Sequence, residues 1–457
     1  MAQRVLKIHP DDNVLVALQD LRRGEIIEYK GRSYLLPETI HAKHKFFTED
    51  LAAGDSIVMY GTLVGKVQYD VKEGMRMNVD NVKHAAAPYQ YRPYNYSWTA
   101  PDISKFEGRT FKGYHRSDGR VGTANHWLFI PMVFCENRNL DVIREALHNE
   151  LGYSVTDKYK EKTRLLRELY EQGKDFETTE LVIQESIVPV GRLFKNVDGI
   201  KFLNHEGGCG GTRQDANVLG KLLAAYADHP NVAGVTVLSL GCQNLQIQDF
   251  LDELKARNPN FDKPLHIFEQ QQSQSEEQLI TDAIRDTFVS LVEANKITRQ
   301  EAPLSKLSLG VKCGGSDGFS GISANPAVGY CSDLLVALGG KVLLAEFPEL
   351  CGAEQDMIDR TKDEAAAHKF IDLMSAYSTA AENAGSGFHM NPSPGNIKDG
   401  LITDAIKSTG AAKKGGTAPI VDVLDYTEPA IKDGLNLVCT PGNDVEATTG
   451  KAASGAT

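Results

Sequence analysis

The chain has 457 residues, and its 49 Lys and Arg against 61 Asp and Glu give a formal charge of −12. At roughly 100 to 200 residues per domain, this length predicts two to four domains rather than a single core. Hydrophobic residues make up 41% and charged residues 24%, which is typical of globular proteins and excludes a mainly disordered chain. An acidic surface repels phosphate backbones, so we expect no nucleic-acid partner.

The N-terminal part predicts a small all-β module over residues 1–85. Short alternating apolar runs, among them NVLVAL and DSIVMYGTLVGKV, are separated there by turn residues, a pattern of strands and tight turns. Residues 86–108 are rich in Tyr and Pro and lack periodicity. This composition predicts an extended linker that docks through its aromatic rings.

Two α/β domains are predicted after the linker. Apolar runs alternate there with amphipathic helical stretches, which indicates βα units around largely parallel sheets. We predict a central α/β domain over 109–300 and a C-terminal α/β domain over 301–457. The expected fold class is therefore α/β multidomain with an N-terminal all-β module.

Cysteine usage and the N-terminus predict a cytosolic protein. Seven cysteines are an odd number, and the start MAQRVLKIHP lacks the charged and apolar regions of a signal peptide. The longest apolar stretch, 333–347, is too short to span a bilayer. We expect reduced thiols, no membrane partner, and a homodimer as the form of any self-association.

Three cysteines lie in Gly-rich loops that follow apolar runs. Cys242 lies in LSLGCQN, Cys313 in LGVKCGGSDG and Cys209 in NHEGGCGGTRQD. Ligands bind beyond the carboxyl ends of strands in open parallel sheets, so these loops are expected to converge on one site. Thiolates near a histidine suit iron better than magnesium, and the sequence predicts a metal site of Cys209, Cys242 and Cys313.

The other cysteines have a simpler explanation. Free cysteine is among the most buried residue types, and Cys135, Cys331 and Cys439 lie in apolar runs. We expect those three to fill the core. Cys351, in EFPELCGAEQ, has surroundings similar to those of the loop cysteines and is the next candidate ligand.

Further candidates are histidines and basic residues. His205 precedes Cys209 by four positions, a spacing that permits metal ligation or proton abstraction. His44 and Lys45 lie either in a solvated loop or in a lid that grips a carboxylate. Arg116 either clamps an acid with its guanidinium fork or is an ordinary surface residue. Nucleotide-binding and hydrolase motifs are absent from the sequence, which disfavours kinases, dehydrogenases and hydrolases.

A series of short motifs runs through nearly the whole chain. They are HPDDNVLVAL, HKFF, YGTLVGK, RSDGRVGTAN, HEGGCGG, LGCQN, CGGSDGFSGISANP, EFPELCGAEQ, NPSPGN and TPGNDVEATT. Together, and in this order, they resemble the altronate/galactarate dehydratase family, and CGGSDGFSG with NPSPGN is specific. The resemblance implies that the N-terminal module is an SAF-type β-clip.

The resemblance also implies an activity. It indicates a hydro-lyase of hexuronate catabolism that converts D-altronate to 2-keto-3-deoxy-D-gluconate and depends on Fe(II) or Mn(II). Galactarate or another aldarate is the alternative substrate, and a non-catalytic sugar-acid binding protein is the alternative of another class. Mononuclear iron is the first expectation for the cofactor, and an iron–sulfur cluster held by three thiolates is the alternative.

The reaction assigns expected roles to particular residues. Dehydration removes the C2 proton, next to the carboxylate, and expels the C3 hydroxyl, which requires a base, an acid and stabilisation of negative charge. We expect His205 and Asp317 to be catalytic. The residues expected to bind the substrate are His44, Lys45, Arg116, Asn125, Ser316 and Asn325.

Two features depart from the family pattern. The family's β-module ends in a His-x-His-Asn run, whereas Asn78 and Asp80 stand at the histidine positions here. The family also continues past TPGNDVEATT, and 443–457 begins like a capped helix and then stops. We therefore expect that the sequence is truncated within the C-terminal domain.

Overall fold

The computed structural model describes residues 3–154, 158–182, 191–312 and 314–457. Its backbone forms two compact units, one from residues 1–111 with 301–457 and the other from residues 112–300. The N-terminal β-module and the C-terminal α/β region thus share one unit, whereas the sequence predicted two separate domains.

The N-terminal module consists of short strands joined by tight turns. Its strands are β1 (Val5–Leu6), β2 (Val14–Ala17), β3 (Ile26–Tyr29), β4 (Arg32–Leu35), β5 (Lys45–Phe47), β6 (Ser56–Met59), β7 (Thr62–Val67) and β8 (Val82–His84). They pair antiparallel in the orders β1-β2-β5, β3-β4 and β6-β7-β8. Burial alternates along β3 and β6, so that one face of each lies on a core, whereas every residue of β2 and β5 is buried.

The second unit is built around a parallel sheet. Its elements, beginning with the strand that leads into the unit, are β9 (Thr110–His115), β10 (Val121–Gly122), β11 (His126–Pro131), α1 (Asn137–Glu150), α2 (Lys158–Glu171), β12 (Gly199–Phe202), α3 (Arg213–Asp228), β13 (Val232–Ser239), α4 (Ile247–Arg257), β14 (Leu265–Glu269) and α5 (Glu276–Ala294). The sheet has the order β12-β11-β13-β14. Every residue of β13 is buried, as expected for a parallel strand covered on both faces.

A second parallel sheet forms the C-terminal region. The elements are β15 (Gln300–Pro303), β16 (Ser308–Val311), α6 (Ala324–Ala337), β17 (Lys341–Ala345), α7 (Glu354–Arg360), α8 (Glu364–Asn383), α9 (Pro394–Lys398), α10 (Asp404–Ala412), β18 (Ile420–Leu424), β19 (Gly434–Val438) and α11 (Asp444–Ala453). The sheet order is β16-β17-β19-β18. Asn443 caps α11 by accepting a hydrogen bond from the Glu446 amide, which confirms the predicted capped helix.

The first unit has a core that its two chain segments share. Val14, Phe47 and Val82 of the β-module pack in one cluster with Ile402 and other apolar residues near α10. Thr403, the N-cap of α10, also donates its hydroxyl hydrogen to the backbone oxygen of Val64 at 2.7 Å. Apolar burial is the main stabilising term in folding, so the β-module depends on the C-terminal region for part of its core.

The Tyr- and Pro-rich segment has little regular secondary structure. The Tyr96 hydroxyl donates to the backbone oxygen of Thr417 at 2.8 Å, and the Trp98 indole N–H donates to the Thr417 hydroxyl at 3.2 Å. Tyr89 and Trp98 also pack against the core of the C-terminal sheet. The extended segment is therefore docked by its aromatic side chains, as predicted.

The predicted fold class is confirmed: an all-β module is followed by α/β regions with parallel sheets. Among the residues that the structure describes, we find no helix with the length and apolar character needed to cross a membrane.

Candidate functional site

Three cysteine loops lie at the carboxyl edge of the parallel sheet in the second unit. Cys135 follows β11, Cys209 follows β12 and Cys242 follows β13. These strands are neighbours in the order β12-β11-β13. The loops therefore start from adjacent positions at the edge where open parallel sheets bind ligands.

Hydrogen bonds tie the three loops together. The Phe134 amide donates to the backbone oxygen of Gly207 at 3.0 Å, and the Asn244 side-chain amide donates to the backbone oxygen of Cys209 at 2.9 Å. Gly208 has a φ of 96°, and a Cβ there would lie 2.2 Å from the backbone oxygen of Met132. Only glycine permits this approach without strain, so HEGGCGG brings its cysteine against the end of β11.

The thiols of these loops are exposed. Desolvation, and then the neighbouring thiols of Cys209 and Cys242, raise the pKa of Cys135. The expectation that Cys135 and Cys331 fill the core was wrong, because both are exposed, while Cys439 is partly buried. Cys135 instead joins the two predicted loop cysteines.

Cys313 lies outside the described residues, so its predicted place in the metal site stays a prediction. The structure brings Cys209 together with Cys242 and adds Cys135. No three thiols among the described residues have all their sulfur atoms within 4.8 Å of one another.

His205 is held by the backbone on both sides of its ring. Its Nε2 donates to the backbone oxygen of Pro131 at 2.7 Å, and its Nδ1 accepts from the Gly207 amide at 3.1 Å. Burial lowers the pKa of His205, against the Pro131 hydrogen bond, which raises it. A neutral ring in this position fixes its loop to β11, and its predicted catalytic role stays a prediction.

Glu136, directly after Cys135, is a buried acid that was not predicted from the sequence. Its Oε2 accepts a hydrogen bond from the Asn139 side-chain amide at 2.9 Å, whereas its Oε1 is buried and has no hydrogen-bond partner in the described chain. Burial raises the pKa of Glu136. Its position next to Cys135 is the sequence feature from which Glu136 could have been identified as a candidate site residue.

Arg116 and Asn125 lie near the opposite edge of the same sheet. Arg116 donates to the backbone oxygen of Pro230, just before β13, at 2.7 Å and to the Asn125 side-chain oxygen at 3.0 Å. Asn125 is fully buried and donates to the backbone oxygen of Asn196 at 2.9 Å. The structure does not bring this pair to the cysteine loops, and its observed contacts hold chain segments together.

In the first unit, several predicted substrate-binding residues come together. The His44 ring bonds to the backbone oxygen of Lys398 at 3.0 Å, and the buried Lys45 ammonium donates to the backbone oxygen of Gly400 at 2.6 Å. Lys43 pairs with Asp317 at 2.8 Å. The segment that carries HKFF, with Lys43 just before it, therefore contacts Asp317 of the CGGSDGFSG motif and the residues that follow NPSPGN.

Ser316 and Asn325 belong to the same region but have different surroundings. The backbone oxygen of Ser316 accepts a hydrogen bond from the Asn396 side chain at 2.9 Å. Asn325 is buried in α6 and donates to the backbone oxygen of Gly410 in α10 at 3.0 Å. Asn325 therefore joins two helices, whereas Ser316 lies beside Asp317 in the contacting loops.

Lys45 makes stability depend on pH. Burial lowers its pKa to about 7, whereas a lysine in an unfolded chain titrates near 10.4. Between about pH 7 and pH 10 the unfolded state binds the extra proton, so the wild type gains stability as pH rises, by up to roughly 1.4 kcal/mol per pH unit. Lys45→Met should lose this slope in urea unfolding.

The exposed Lys66 supplies the control for removal of an ammonium group. The difference in unfolding free energy between wild type and Lys45→Met should change across this pH range, whereas the difference for Lys66→Met should not. A pH-independent difference for Lys45→Met would contradict the burial argument.

The carboxyl edge of the C-terminal sheet carries a group of paired charges. Lys312 follows β16, Glu346 follows β17, and their side chains form an ion pair. Lys312 also pairs with Asp444 at 2.8 Å, and Lys414 lies 3.6 Å from Glu346. Glu346 is fully buried, and its φ of 74° is left-handed, an uncommon conformation that marks functional sites when non-glycine residues adopt it.

The two charges shift each other's titration. Burial raises the pKa of Glu346, and neighbouring Glu349 raises it further against the pull of the lysines. For Lys312, burial lowers the pKa, but hydrogen bonds to Asp444 and Glu346 outweigh this and raise it. Glu346 was not predicted from the sequence as a site residue, although it also ends an apolar run.

Family models match three consecutive segments of the chain. The altronate/galactarate dehydratase SAF domain matches residues 3–85, the second domain of D-galactarate dehydratase/altronate hydrolase matches 113–295, and the C-terminal domain of D-galactarate/altronate dehydratase matches 304–457. The β-module and the two α/β regions therefore have the architecture of a dehydratase, which is a hydro-lyase.

Curated relatives agree with these matches. Altronate dehydratase of Bacillus subtilis (strain 168) is 33% identical over 98% of this chain and 81% of the relative. Altronate dehydratase of Escherichia coli (strain K12) is 30% identical over 98% of this chain and 81% of the relative. Galactarate dehydratase (L-threo-forming) of the same strain is 28% identical, with 99% and 80% covered. The chain belongs to the altronate/galactarate dehydratase family.

Proposed function

We propose that this protein dehydrates D-altronate to 2-keto-3-deoxy-D-gluconate. The observation that carries the proposal is the set of cysteine loops at one sheet edge, in a chain that belongs to a dehydratase family. Altronate is preferred because two relatives of that activity are 33% and 30% identical, against 28% for a galactarate dehydratase. The difference is small, so galactarate is the second candidate.

The reaction sets the requirements on the protein. A base removes the proton at C2, the bond between C3 and its oxygen breaks, and an acid protonates the departing hydroxyl so that water leaves. The enol that forms then takes a proton at C3 and becomes the 2-keto acid. The intermediate charge on the carboxylate requires electrostatic stabilisation.

The thiol loops fit iron. Cys135, Cys209 and Cys242 would supply soft sulfur donors, which favour iron over the manganese that oxygen ligands select. When bound, iron would act as a Lewis acid on the leaving hydroxyl or the carboxylate. Mononuclear iron stays the first candidate for the cofactor, and a three-thiolate iron–sulfur cluster stays the alternative.

The remaining roles are assigned to this chain's own groups. Glu136, with its raised pKa and unpartnered oxygen, is proposed to supply the proton for the leaving hydroxyl. His205 fixes its loop and becomes a base only if one backbone hydrogen bond opens. Asp317 and Ser316, together with Lys45, whose ammonium is fully buried against the backbone oxygen of Gly400, stay predicted site residues of the first unit.

A substrate panel tests the proposal. Protein purified without oxygen and supplied with Fe(II) should form 2-keto acid from D-altronate faster than from galactarate, glucarate or gluconate. A faster reaction with galactarate would show that galactarate, and not D-altronate, is the substrate. Tight binding of altronate without turnover would indicate a sugar-acid binding protein instead.

Iron and sulfide analysis separates the two forms of the cofactor. The cluster predicts acid-labile sulfide in proportion to iron, whereas mononuclear iron predicts iron without sulfide. We also propose that the protein acts in the cytosol, where the six described cysteines, which form no disulfide among themselves, would stay reduced.

A further inference from the structure

A histidine, a cysteine and an aspartate meet inside the first unit, apart from the groups assigned above. His84 ends β8, Cys351 precedes α7 and Asp404 begins α10. One potential ligand atom from each residue lies within 4.8 Å of the other two, and among the described residues this is the only such group of three. Three distant chain segments thus present nitrogen, sulfur and oxygen to one point.

The Asp404 carboxylate is oriented for a ligand. Its Oδ1 accepts hydrogen bonds from the Asn391 side-chain amide at 2.9 Å and from the Ser408 hydroxyl at 3.3 Å. Its Oδ2 is buried and has no hydrogen bond of normal geometry in the described chain, although the Cys351 thiol lies beside the carboxyl. A fully buried oxygen left in this state is costly, and a cation would satisfy it.

The other two donors also have close neighbours. The Ala405 backbone amide donates to the His84 Nδ1 at 3.4 Å, and this long hydrogen bond has to be given up when Nδ1 binds an ion. The Cys351 thiol lies between the carboxyls of Asp404 and Glu354. The bonds of Asn391 and Ser408 to the Asp404 carboxylate are outer hydrogen bonds of the kind that fix ligands in metal sites.

The spacing suits one small ion. In tetrahedral zinc sites, with bonds of about 2.0 to 2.3 Å, the ligand atoms are roughly 3.5 Å apart. The observed separations, within 4.8 Å, reach that value by small side-chain rotations. A nitrogen, a thiolate and a carboxylate are donors that select zinc-class ions rather than calcium or magnesium.

A fourth coordination position is available on the side of Glu354. Glu354 lies close to the Cys351 thiol and also lines a cavity of about 540 Å³, together with Tyr60 and Arg360. An ion bound by the three donors could therefore take Glu354 or water from this cavity as its fourth ligand.

We propose that His84, Cys351 and Asp404 bind one divalent zinc-class ion, separate from the thiol loops of the second unit. Binding replaces the thiol proton of Cys351, and any proton on Asp404, with the metal, and the protons pass to solvent. The ion links β8 of the β-module to α10 and to the loop before α7. It thereby fastens the N-terminal module to the C-terminal region at a second point beyond their shared core.

Cobalt(II), which replaces zinc and gives a visible spectrum, tests the site in the full-length chain. We start from Cys135→Ser/Cys209→Ser/Cys242→Ser, so that these three loop thiols do not contribute, and remove metal with a chelator. This protein should bind one Co(II) with a thiolate-to-cobalt charge-transfer band. Cys351→Ser should abolish the band, and the exposed Cys331→Ser should retain it.

A second variant covers the case in which Cys351→Ser fails to fold. His84→Gln changes a half-buried ligand and should weaken Co(II) binding by at least about tenfold, while circular dichroism shows an intact fold. The proposal is overturned if no thiolate band forms in the starting protein. It is equally overturned if Cys351→Ser and His84→Gln both bind Co(II) as the starting protein does.

Discussion

Cys242→Ser is expected to remove most of the bound iron and to lower dehydration of D-altronate by at least about 100-fold. The thiolate is a far better iron ligand than a serine hydroxyl, and Cys242 is one of the sulfur donors proposed to hold the iron. The exposed thiol lies outside the core, so the fold should survive. Iron content, turnover and the thermal midpoint measured on one preparation separate the loss of iron from unfolding.

Cys331→Ser is the matched control, because Cys331 is also exposed but lies on α6. It should keep the iron content and turnover of the wild type. If Cys242→Ser retained full iron and full activity, the thiol loops would not be the metal site.

Glu346→Gln is expected to lower the free energy of unfolding by about 3 kcal/mol near pH 8. Removing one partner of a buried ion pair leaves the remaining charge poorly compensated, which is strongly destabilising. Here the substitution affects Lys312 and the buried Lys414 together. Urea unfolding followed by circular dichroism measures the change, and the reversible transition should move to a lower urea concentration.

Glu293→Gln controls for the chemistry of the substitution. Glu293 pairs with Lys296 at 2.7 Å on the exposed face of α5, and such surface pairs contribute less than about 1 kcal/mol. Equal losses in the two variants would show that the buried group of charges adds no stability.

The sequence predicted the fold class because strand and helix periodicities are local. The fully buried run of β13 and the alternating runs of the β-module both fold as their patterns indicate. The joining of residues 1–111 with 301–457 escaped prediction, because packing between distant segments leaves no local periodicity.

The site was predicted only in part. Cys209 and Cys242 were found because glycine-rich loops after apolar runs are recognisable, whereas Cys135 was assigned to the core from its apolar neighbours. It lies just beyond the end of β11, where the chain turns outward. Arg116 has the chemistry of a carboxylate clamp, but its guanidinium is engaged by the backbone of Pro230, a contact that depends on tertiary structure.

The shared core of the first unit has a consequence for synthesis on the ribosome. Val14, Phe47 and Val82 bury against residues near Ile402, which emerge only after most of the polypeptide has been translated. Until then the apolar face of the β-module stays exposed to solvent. Contacts between segments so far apart in the sequence form slowly. A chaperone that shields this surface during elongation would therefore raise the yield of native protein.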